Sequence, residues 1–554
     1  MRLNLPAVWS LAAFCAAAAA CAAPALPRDR IPKGLPFEVR WNIEGLYSPD
    51  PRLRCACARA LGGMGERAAA AAPFLTAMLG DRTEAVTHFP EATMAVRRMP
   101  APPSPDRAAA AALARIGTPA VGPLLRLLER PAAAGRALAV QALSNIRDPR
   151  ALPAIRAAAT DADAAVRLVA ITALAHRTGA EGAMAAVAAA LRDTDVRVRL
   201  AAVTPLCRAH PAAPVVSVLV AALRDKEVRI RRKAAGALVF CKSRQVAEGM
   251  AAALDDPDEN VRAFAARALG YQADRAFIEP LMGALKDKSV YVRAMAAPAL
   301  AILARNIGDR RPVPALIALF GDSDSSARHA AAEAFRHLQD PRAVEPLIRA
   351  LRDEDHSVRS SAAWALGGFK NPRAAEPLLA LAQKSDERTL PATAWALGQI
   401  KEKRAVEPLM KALRAHKRFH GRWYVVRALG DIGDPRAVPV LVEILKTGGE
   451  HDRAQAAYCL ALLNAHQAAD ALFKASSDSS RKVRTSAIRS LVRLKDPRII
   501  PCLIAFLEKP GDLGRPEAAR SLGLLTGQDF GEDTAKWAAW WEANRAARGR
   551  RRRP

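Results

Sequence analysis

Aromatic residues and cysteines are scarce in this sequence. Phe, Trp and Tyr make up only 5% of its 554 residues. A sequence rich in alanine and poor in aromatics is expected where closely packed helices replace bulky core residues. The six cysteines after the N-terminal segment are scattered along the chain, so no disulfide framework is predicted. They are Cys55, Cys57, Cys207, Cys241, Cys459 and Cys502.

Familiar catalytic motifs are also missing from the sequence. There is no P-loop, no Gly-rich dinucleotide turn, no His-Glu-x-x-His and no nucleophile elbow. His329, Glu333 and His337 share one helix face and are residue types that bind zinc or iron. However, eight helical residues span about 12 Å, too far for a single ion. We therefore predict no enzyme, no cofactor and no metal site, with a metal-dependent enzyme as the least favoured alternative.

Charge of one sign dominates the sequence. The formal net charge is +28, and the excess is mostly arginine, ending in a basic tail at residues 547–554. A basic surface favours anionic partners such as nucleic acid, acidic proteins, anionic polysaccharide or lipid headgroups. The alternative interpretation is a solvated surface whose arginines have structural roles.

The N-terminal 25 residues are predicted to form a secretory signal. Arg2 precedes an apolar, Ala-rich stretch, and Ala20, Cys21 and Ala22 offer a cleavage site. Lipidation of Cys21 and an uncleaved anchor are the alternatives. No later stretch is judged long and apolar enough to span a membrane. We therefore expect an exported protein of the periplasm or cell envelope.

Residues 340–370 display the unit from which most of the chain is built. Asp340 and Pro341 suit the start of a first helix, and apolar residues then recur at helical spacing. After a polar turn, a second helix runs towards Gly367 and Gly368, which are expected at its end. Two such short helices cannot bury their apolar faces alone, so the unit must stack on copies of itself.

The copies of this unit recur every 31 to 34 positions after the first step. They give 14 units, plus a partial unit before them, and predict an all-α solenoid. The positions equivalent to Pro346 are Pro73, Pro123, Ala154, Ala186, Val218, Gly249, Pro280, Pro314, Pro377, Pro408, Val440, Ala471 and Cys502.

A second periodic feature couples the turns to the second helices. An Asp in the turn is followed six positions later by an Arg, as in Asp161/Arg167, Asp322/Arg328 and Asp353/Arg359. So many carboxylate–guanidinium pairs indicate a structural ladder of hydrogen bonds and not catalysis.

The repeated pattern Asp-Pro-Arg-Ala-Val-Glu-Pro-Leu, followed by Val-Arg and Ala-Leu-Gly, resembles the HEAT repeat in its shorter bacterial form, also found in phycobilin lyases. The resemblance covers residues 51–525 and implies a right-handed α-solenoid of about 14–15 helical hairpins. It also implies that the second helices line the inner, concave face. A fold of this kind hosts many functions, so no activity follows from it.

The flanking segments depart from the repeat. Residues 26–50 are predicted to cover the first repeat, and residues 81–105 to be an insertion. Residues 526–546 are predicted to form a capping helix whose Trp537, Trp540 and Trp541 share one face.

The position five residues after the ladder arginine is expected to be exposed on each second helix. Up to Pro298 it carries mostly small or neutral residues, but from Trp364 onward it is aromatic and cationic. Trp, Tyr and Arg dominate binding hot spots. The predicted partner-binding residues are Trp364, Trp395, Trp423, Arg427, Tyr458, Arg489 and Arg520, with Tyr424 as support. The alternative is that the tryptophans pack between neighbouring helices.

We accordingly expect an exported, non-catalytic scaffold that binds a partner protein through the concave face of its C-terminal half. A binder of anionic polymer, either surface polysaccharide or nucleic acid, is the alternative.

Overall fold

The computed structural model describes residues 26–82, 104–130, 134–177, 182–206, 213–384, 386–416, 419–508 and 514–550. The regular elements in these ranges are helices, and no strand occurs among them. The predicted signal with Cys21, most of the predicted insertion and the last residues of the basic tail lie outside the described residues, so these remain predictions.

The chain divides into two compact units, Met1–Gly249 and Met250–Pro554. The first unit contains α1 (Phe37–Gly45), α2 (Pro51–Met64), α3 (Ala72–Ala77), α4 (Pro105–Ile116), α5 (Val121–Leu128), α6 (Arg136–Asn145), α7 (Ala151–Ala158), α8 (Ala164–Ala175), α9 (Ala183–Ala189), α10 (Val196–Leu206), α11 (Ala213–Ala222) and α12 (Val228–Leu238). The boundary falls within α13 (Arg244–Ala253).

The second unit continues with α14 (Glu259–Leu269), α15 (Ile278–Ala284), α16 (Val290–Ile307), α17 (Val313–Ala318), α18 (Ser325–Leu338), α19 (Val344–Ala350), α20 (His356–Phe369), α21 (Ala375–Gln383), α22 (Leu390–Ile400), α23 (Val406–Ala415) and α24 (Arg422–Ile432). It ends with α25 (Val438–Thr447), α26 (Glu450–Leu462), α27 (Ala469–Ala475), α28 (Arg481–Arg493), α29 (Ile500–Glu508), α30 (Arg515–Thr526) and α31 (Thr534–Arg550).

Helices α3 to α30 form hairpins in which the odd-numbered helix comes first and the even-numbered helix second. Within each unit the second helices pack on one another, for example α2 on α4 and α22 on α24. The described residues thus contain 14 hairpins, and α2 is the partial repeat that precedes them. The predicted all-α solenoid is confirmed.

The hairpin at residues 340–370 shows which local interactions make each repeat fold into two helices. The Asp340 carboxylate accepts the backbone N–H of Arg342, and the Asp355 carboxylate accepts those of Ser357 and Val358. These caps satisfy N–H groups that have no partner within the helix. The second helix ends at Phe369, and the following residue, Lys370, adopts a left-handed φ of 51°. The two glycines expected at the end therefore lie inside the helix.

Within each unit, ladder arginines connect neighbouring repeats. Arg328 Nη1 donates to the backbone carbonyls of Asp322 and Ser323 in its own turn, at 3.0 and 3.1 Å. Its Nε and Nη2 instead bind the carboxylate of Asp353 in the following repeat, at 2.8 and 2.9 Å. The predicted ladder is present, but the Asp six positions earlier contributes its carbonyl. The carboxylate comes from the next turn.

This carboxylate pairing recurs in both units. Inside the first unit the pairs are Arg54–Asp81, Arg136–Asp161, Arg167–Asp193 and Arg199–Asp225. Inside the second they are Arg262–Asp287, Arg293–Asp322, Arg328–Asp353, Arg359–Asp386, Arg422–Asp452 and Arg453–Asp478. Hydrogen bonds from the ladder arginines lower the pKa of Asp193, Asp322 and Asp478, so these carboxylates stay charged.

Helix α16 corrects one expectation. Its 18 residues are long and apolar enough to cross a membrane by length and composition, contrary to the prediction for the later chain. Nevertheless, Val292, Ala296 and Leu300 are buried within the protein, and Arg293 pairs with Asp322. The apolar character of α16 is therefore used in packing against its neighbours.

Helices at both ends lie outside the hairpins. Helix α1 packs on α2 through buried Val39 and Ile43. At the other end, α31 packs against α29, and Trp537 is buried with its indole Nε1 donating to the carbonyl of Gly531. Trp540 is half-buried.

Candidate functional site

The position five residues after each ladder arginine, or after Leu390 where leucine takes its place, forms a series along the second helices, called the row below. Every member lies among the described residues, and each is exposed or half-buried. In the first unit the row comprises Arg59, Gln141, Thr172, Thr204 and Gly236. In the second it comprises Arg267, Pro298, Glu333, Trp364, Trp395, Arg427, Tyr458, Arg489 and Arg520.

Four aromatic side chains of the second unit form one cluster across α20, α22 and α24. The Trp364 ring lies 4.8 Å from Trp395 and 4.9 Å, edge to face, from Tyr424. The Tyr424 ring stacks on Trp423 at 3.7 Å. These four residues are called the aromatic cluster below. Such ring pairs stabilise one another beyond the area they bury, so the cluster presents a firm surface and not four independent side chains.

A glycine in the neighbouring helix makes room for this cluster. A Cβ on Gly367 would collide with the Trp395 ring, so a side chain there would force that ring to move. Trp395 thus packs against α20, as in the alternative interpretation of the tryptophans. Trp364 and Trp395 are both half-buried, and Trp423 is exposed, so the cluster also has solvent-facing edges.

Cations border the aromatic cluster on both sides. The Arg336 guanidinium lies 5.9 Å from the centre of the Trp364 ring and pairs with Glu333. On the other side, the Arg427 guanidinium lies 4.6 Å from the Tyr458 ring and pairs with Asp431. Cation–π contacts of this kind hold both partners in place. Arg427 thereby connects α24 to Tyr458 on α26.

A groove of about 660 Å³ begins at Tyr458 and runs between α26 and α28. It is called the cationic groove below. Its lining carries four cationic side chains and no acidic one: Tyr458, Ala461, Arg481, Lys482, Thr485, Ser486, Arg489, Ser490 and Arg493.

Two of these cations, Arg489 and Lys482, are paired with carboxylates outside the lining, and Arg481 also has a partner. Arg489 binds Glu517 through two hydrogen bonds of 2.7 and 2.9 Å, which lower the pKa of Glu517. Lys482 lies 3.7 Å from Glu450. Within the described part of the chain, Arg493 forms no ion pair. The groove therefore retains positive charge for a ligand.

Tyr458 and Arg489 were predicted from the sequence as binding residues, but the other cations of this groove were not. Lys482, Arg489 and Arg493 follow the i, i+7, i+11 spacing of one helix face, which is the signal that could have identified them. Arg520 is exposed on α30, and its charge adds to the lowering of the Glu517 pKa by the hydrogen bonds from Arg489. The structure thus places the predicted site residues other than Arg520 in an aromatic cluster and a cationic groove, joined through Arg427.

The histidine constellation of α18 is tied to its neighbouring helix. Ser361 lies 3.0 Å from His329 Nδ1 and donates at 3.0 Å to Glu333. Ser361 is itself buried. Burial and the charge of Arg305 lower the pKa of His337. No grouping of three or more His, Cys, Asp or Glu side chains suited to a metal ion occurs in the ranges that the structure describes.

Comparison with known families agrees with this architecture. The model of HEAT repeats matches residues 99–175, 247–336, 313–393, 390–461 and 450–523, more than half of the chain. The chain belongs to the HEAT-repeat family. The model of the PBS lyase HEAT-like repeat matches this HEAT-repeat protein at residues 53–81. None of the curated proteins searched matches it.

Solved structures similar to this HEAT-repeat protein include karyopherins. Kap95 in the Kap95:Nup1 complex matches with a TM-score of 0.51 and 14% identity, over 90% of this chain and 78% of that one. Kap95p from a structure with RanGDP matches with a TM-score of 0.52 and 14% identity, over 87% of this chain and 76% of that one. Kap95p is the yeast importin-beta. At these identities the similarity shows the fold alone.

Proposed function

We propose that this protein is a non-catalytic scaffold that binds a partner protein through the row of its second unit. The single observation that carries the proposal is the aromatic cluster, whose edges face solvent between two cation–π pairs. Aromatic residues and arginine held in fixed positions lose little conformational entropy on binding and dominate protein interfaces. Kap95 forms a complex with Nup1 in one similar structure and binds RanGDP in another, which supports a protein partner in general.

The sequence of residues 1–25 supports the further proposal that the scaffold acts outside the cytoplasm, in the periplasm or cell envelope. Fractionation of the source organism, with the chain followed by antibody, tests this proposal. Recovery of the chain in the cytoplasmic fraction alone would contradict it.

Binding of an anionic polymer is a second candidate, favoured by the net charge of +28 and by the cationic groove. However, many arginines are already neutralised by ladder carboxylates. Polyanion binding weakens steeply with salt because it releases counterions. Capture that survives a rise from about 0.05 to 0.2 M salt would favour the protein partner.

The proposal is tested by pull-down from the envelope fraction of the source organism. The bait would be wild type, Trp423→Ala/Tyr458→Ala, or a control variant, Thr172→Ala/Thr204→Ala, altered at row positions of the first unit. Trp423 and Tyr458 are 36% and 38% exposed, so their loss should leave the fold intact. Circular dichroism would verify folding.

We expect a specific protein to be captured by wild type and the control but not by the Trp423/Tyr458 variant. Equal capture by all three baits would refute the row of the second unit as the binding surface.

A further inference from the structure

We propose that the cationic groove is a subsite for acidic side chains, and that the partner segment is an extended, acidic peptide with an apolar anchor at one end. This inference rests on the proposed function and specifies the chemistry of the partner. Four cationic side chains line the groove without a carboxylate in the lining. Desolvating such a surface against an uncharged or basic segment is unfavourable, whereas carboxylates can pair with its guanidinium and ammonium groups.

The groove and the aromatic cluster form one continuous surface. Trp423 and Arg427 are one turn apart on α24, and Arg427 contacts the ring of Tyr458, which lines the groove. Helices α24, α26 and α28 are consecutive second helices, and α24 and α28 both pack on α26. Packed helices lie about 10 Å apart, so the surface spans about 20 Å. An extended segment of about six residues covers that distance.

The structure favours a mixed peptide over a uniform polyanion. A polyanion would be bound best by cations that recur at every repeat, but the recurring arginines are those that pair with ladder carboxylates. The groove lies at one end of a surface whose other end is aromatic, and among the described residues its Arg493 forms no ion pair. An acidic stretch followed by an aromatic residue is complementary to both ends.

A synthetic peptide tests this inference on the full chain. The probe is a fluorescein-labelled Glu-Glu-Glu-Glu-Gly-Ser-Gly-Trp, and binding is followed by fluorescence anisotropy at about 0.15 M salt. The test variant is Lys482→Glu/Arg493→Glu. Both residues are exposed, and no ladder carboxylate pairs with them. The matched control is Arg349→Glu/Lys411→Glu, which makes the same charge change at exposed positions of α19 and α23.

We expect saturable binding by wild type, a loss of at least about tenfold in the test variant and a change of less than about twofold in the control. Replacing the peptide's Trp by Gly should weaken its binding to the wild-type chain. Binding of that altered peptide should no longer depend on Trp423. Absence of saturable binding by wild type would overturn the inference, and so would equal loss in both charge-reversal variants. Tighter binding of a single-stranded oligonucleotide, lost equally in both variants, would also overturn it.

Capture of the natural partner separates this inference from the proposed function. If Lys482→Glu/Arg493→Glu captures the partner as well as wild type does while Trp423→Ala/Tyr458→Ala does not, the acidic subsite is refuted and the scaffold role stands. If neither variant loses the partner, the proposed function fails as well.

Discussion

The two units of the chain contain ladder pairs of the same kind but differ in the residues of the row beside them. Arg167 and Asp193 in the first unit are paired in the same way as Arg328 and Asp353 in the second, with similar distances and burial. Five positions after the arginine, the first unit carries Thr172 and the second carries Glu333, followed by the tryptophans. The side chains that build the fold thus recur, while the exposed position next to them varies.

This difference separates structural residues from candidate binding residues. A ladder arginine is bonded to its own turn and to the next one, so it is constrained by two repeats at once. Row residues are exposed or half-buried. In the second unit the row gains mutual contacts between aromatic rings. A surface on which neighbouring repeats contribute side chains that contact each other is the reason why this unit is the proposed binding region.

Removal of a ladder arginine should have the largest effect and should be equal in the two units. Arg167→Ala and Arg328→Ala each leave a carboxylate that is 9% or 12% exposed without its charged partner. Breaking such a buried pair costs about 3–5 kcal/mol. The free energy of unfolding, measured by urea denaturation, should fall by this amount in both variants.

The control for the ladder is Arg40→Ala, because Arg40 and its partner Glu44 are 51% and 46% exposed. An exposed pair contributes less than about 1 kcal/mol. A large loss in only one unit would contradict the view that the ladder stabilises both equally.

Alanine substitutions of two glycines, one in each unit, should change the free energy of unfolding in opposite directions. Gly367→Ala places a Cβ against the Trp395 ring and should cost about 1–3 kcal/mol, with a change in tryptophan fluorescence. Gly63→Ala in α2 meets no atom within 4 Å and should stabilise by up to about 1 kcal/mol through helix propensity. Thermal unfolding measures both, and a neutral Gly367→Ala would show that Trp395 is not tightly held.

Acid should weaken the ladder in both units. Hydrogen bonds from the arginines lower the folded-state pKa of Asp193, Asp322 and Asp478 below the unfolded value of about 3.9. Their contribution to stability is therefore complete above about pH 4 and is lost as the pH falls through the folded-state values. Urea midpoints measured from pH 6 downward should decline below pH 4. The decline should be smaller in Arg167→Ala, and an unchanged slope in that variant would argue against the pairing.

The smallest effect is expected at the ends of the second helices. Lys401 has a left-handed φ of 59°, whereas Gly433 occupies the corresponding position of the next repeat with a φ of 81°. The left-handed conformation costs a residue with a Cβ about 1 kcal/mol. Lys401→Gly should raise the free energy of unfolding by about that amount, and Gly433→Ala should lower it. A change of the same sign in both would contradict the assignment.

The recurring parts of the structure could be predicted from the sequence. Hairpin number and helix type followed from the spacing of Pro346 and its equivalents, because a repeated hydrophobic pattern fixes which residues are buried. The ladder was also predicted, but its carboxylate partner was not. Every turn Asp precedes one Arg and follows another, so a periodic sequence alone does not distinguish the two pairings.

The parts that differ between repeats were harder to predict. Gly367 lies near a helix end and suggests a cap, but its role is to admit Trp395 from the next repeat. Lys482 and Arg493 fall outside the row, so reading one position per repeat missed the groove. Both depend on contacts between side chains of neighbouring repeats that no single repeat encodes.

Site-specific photo-cross-linking tests the central claim most directly. A photoreactive phenylalanine analogue would replace Tyr458 in the second unit or Thr172 in the first, both exposed row positions. Irradiation in the presence of the envelope fraction should give a discrete adduct from position 458, competed by unlabelled wild-type chain, and none from position 172. Equal adducts from both positions, or an adduct from position 172 alone, would contradict the assignment of binding to the row of the second unit.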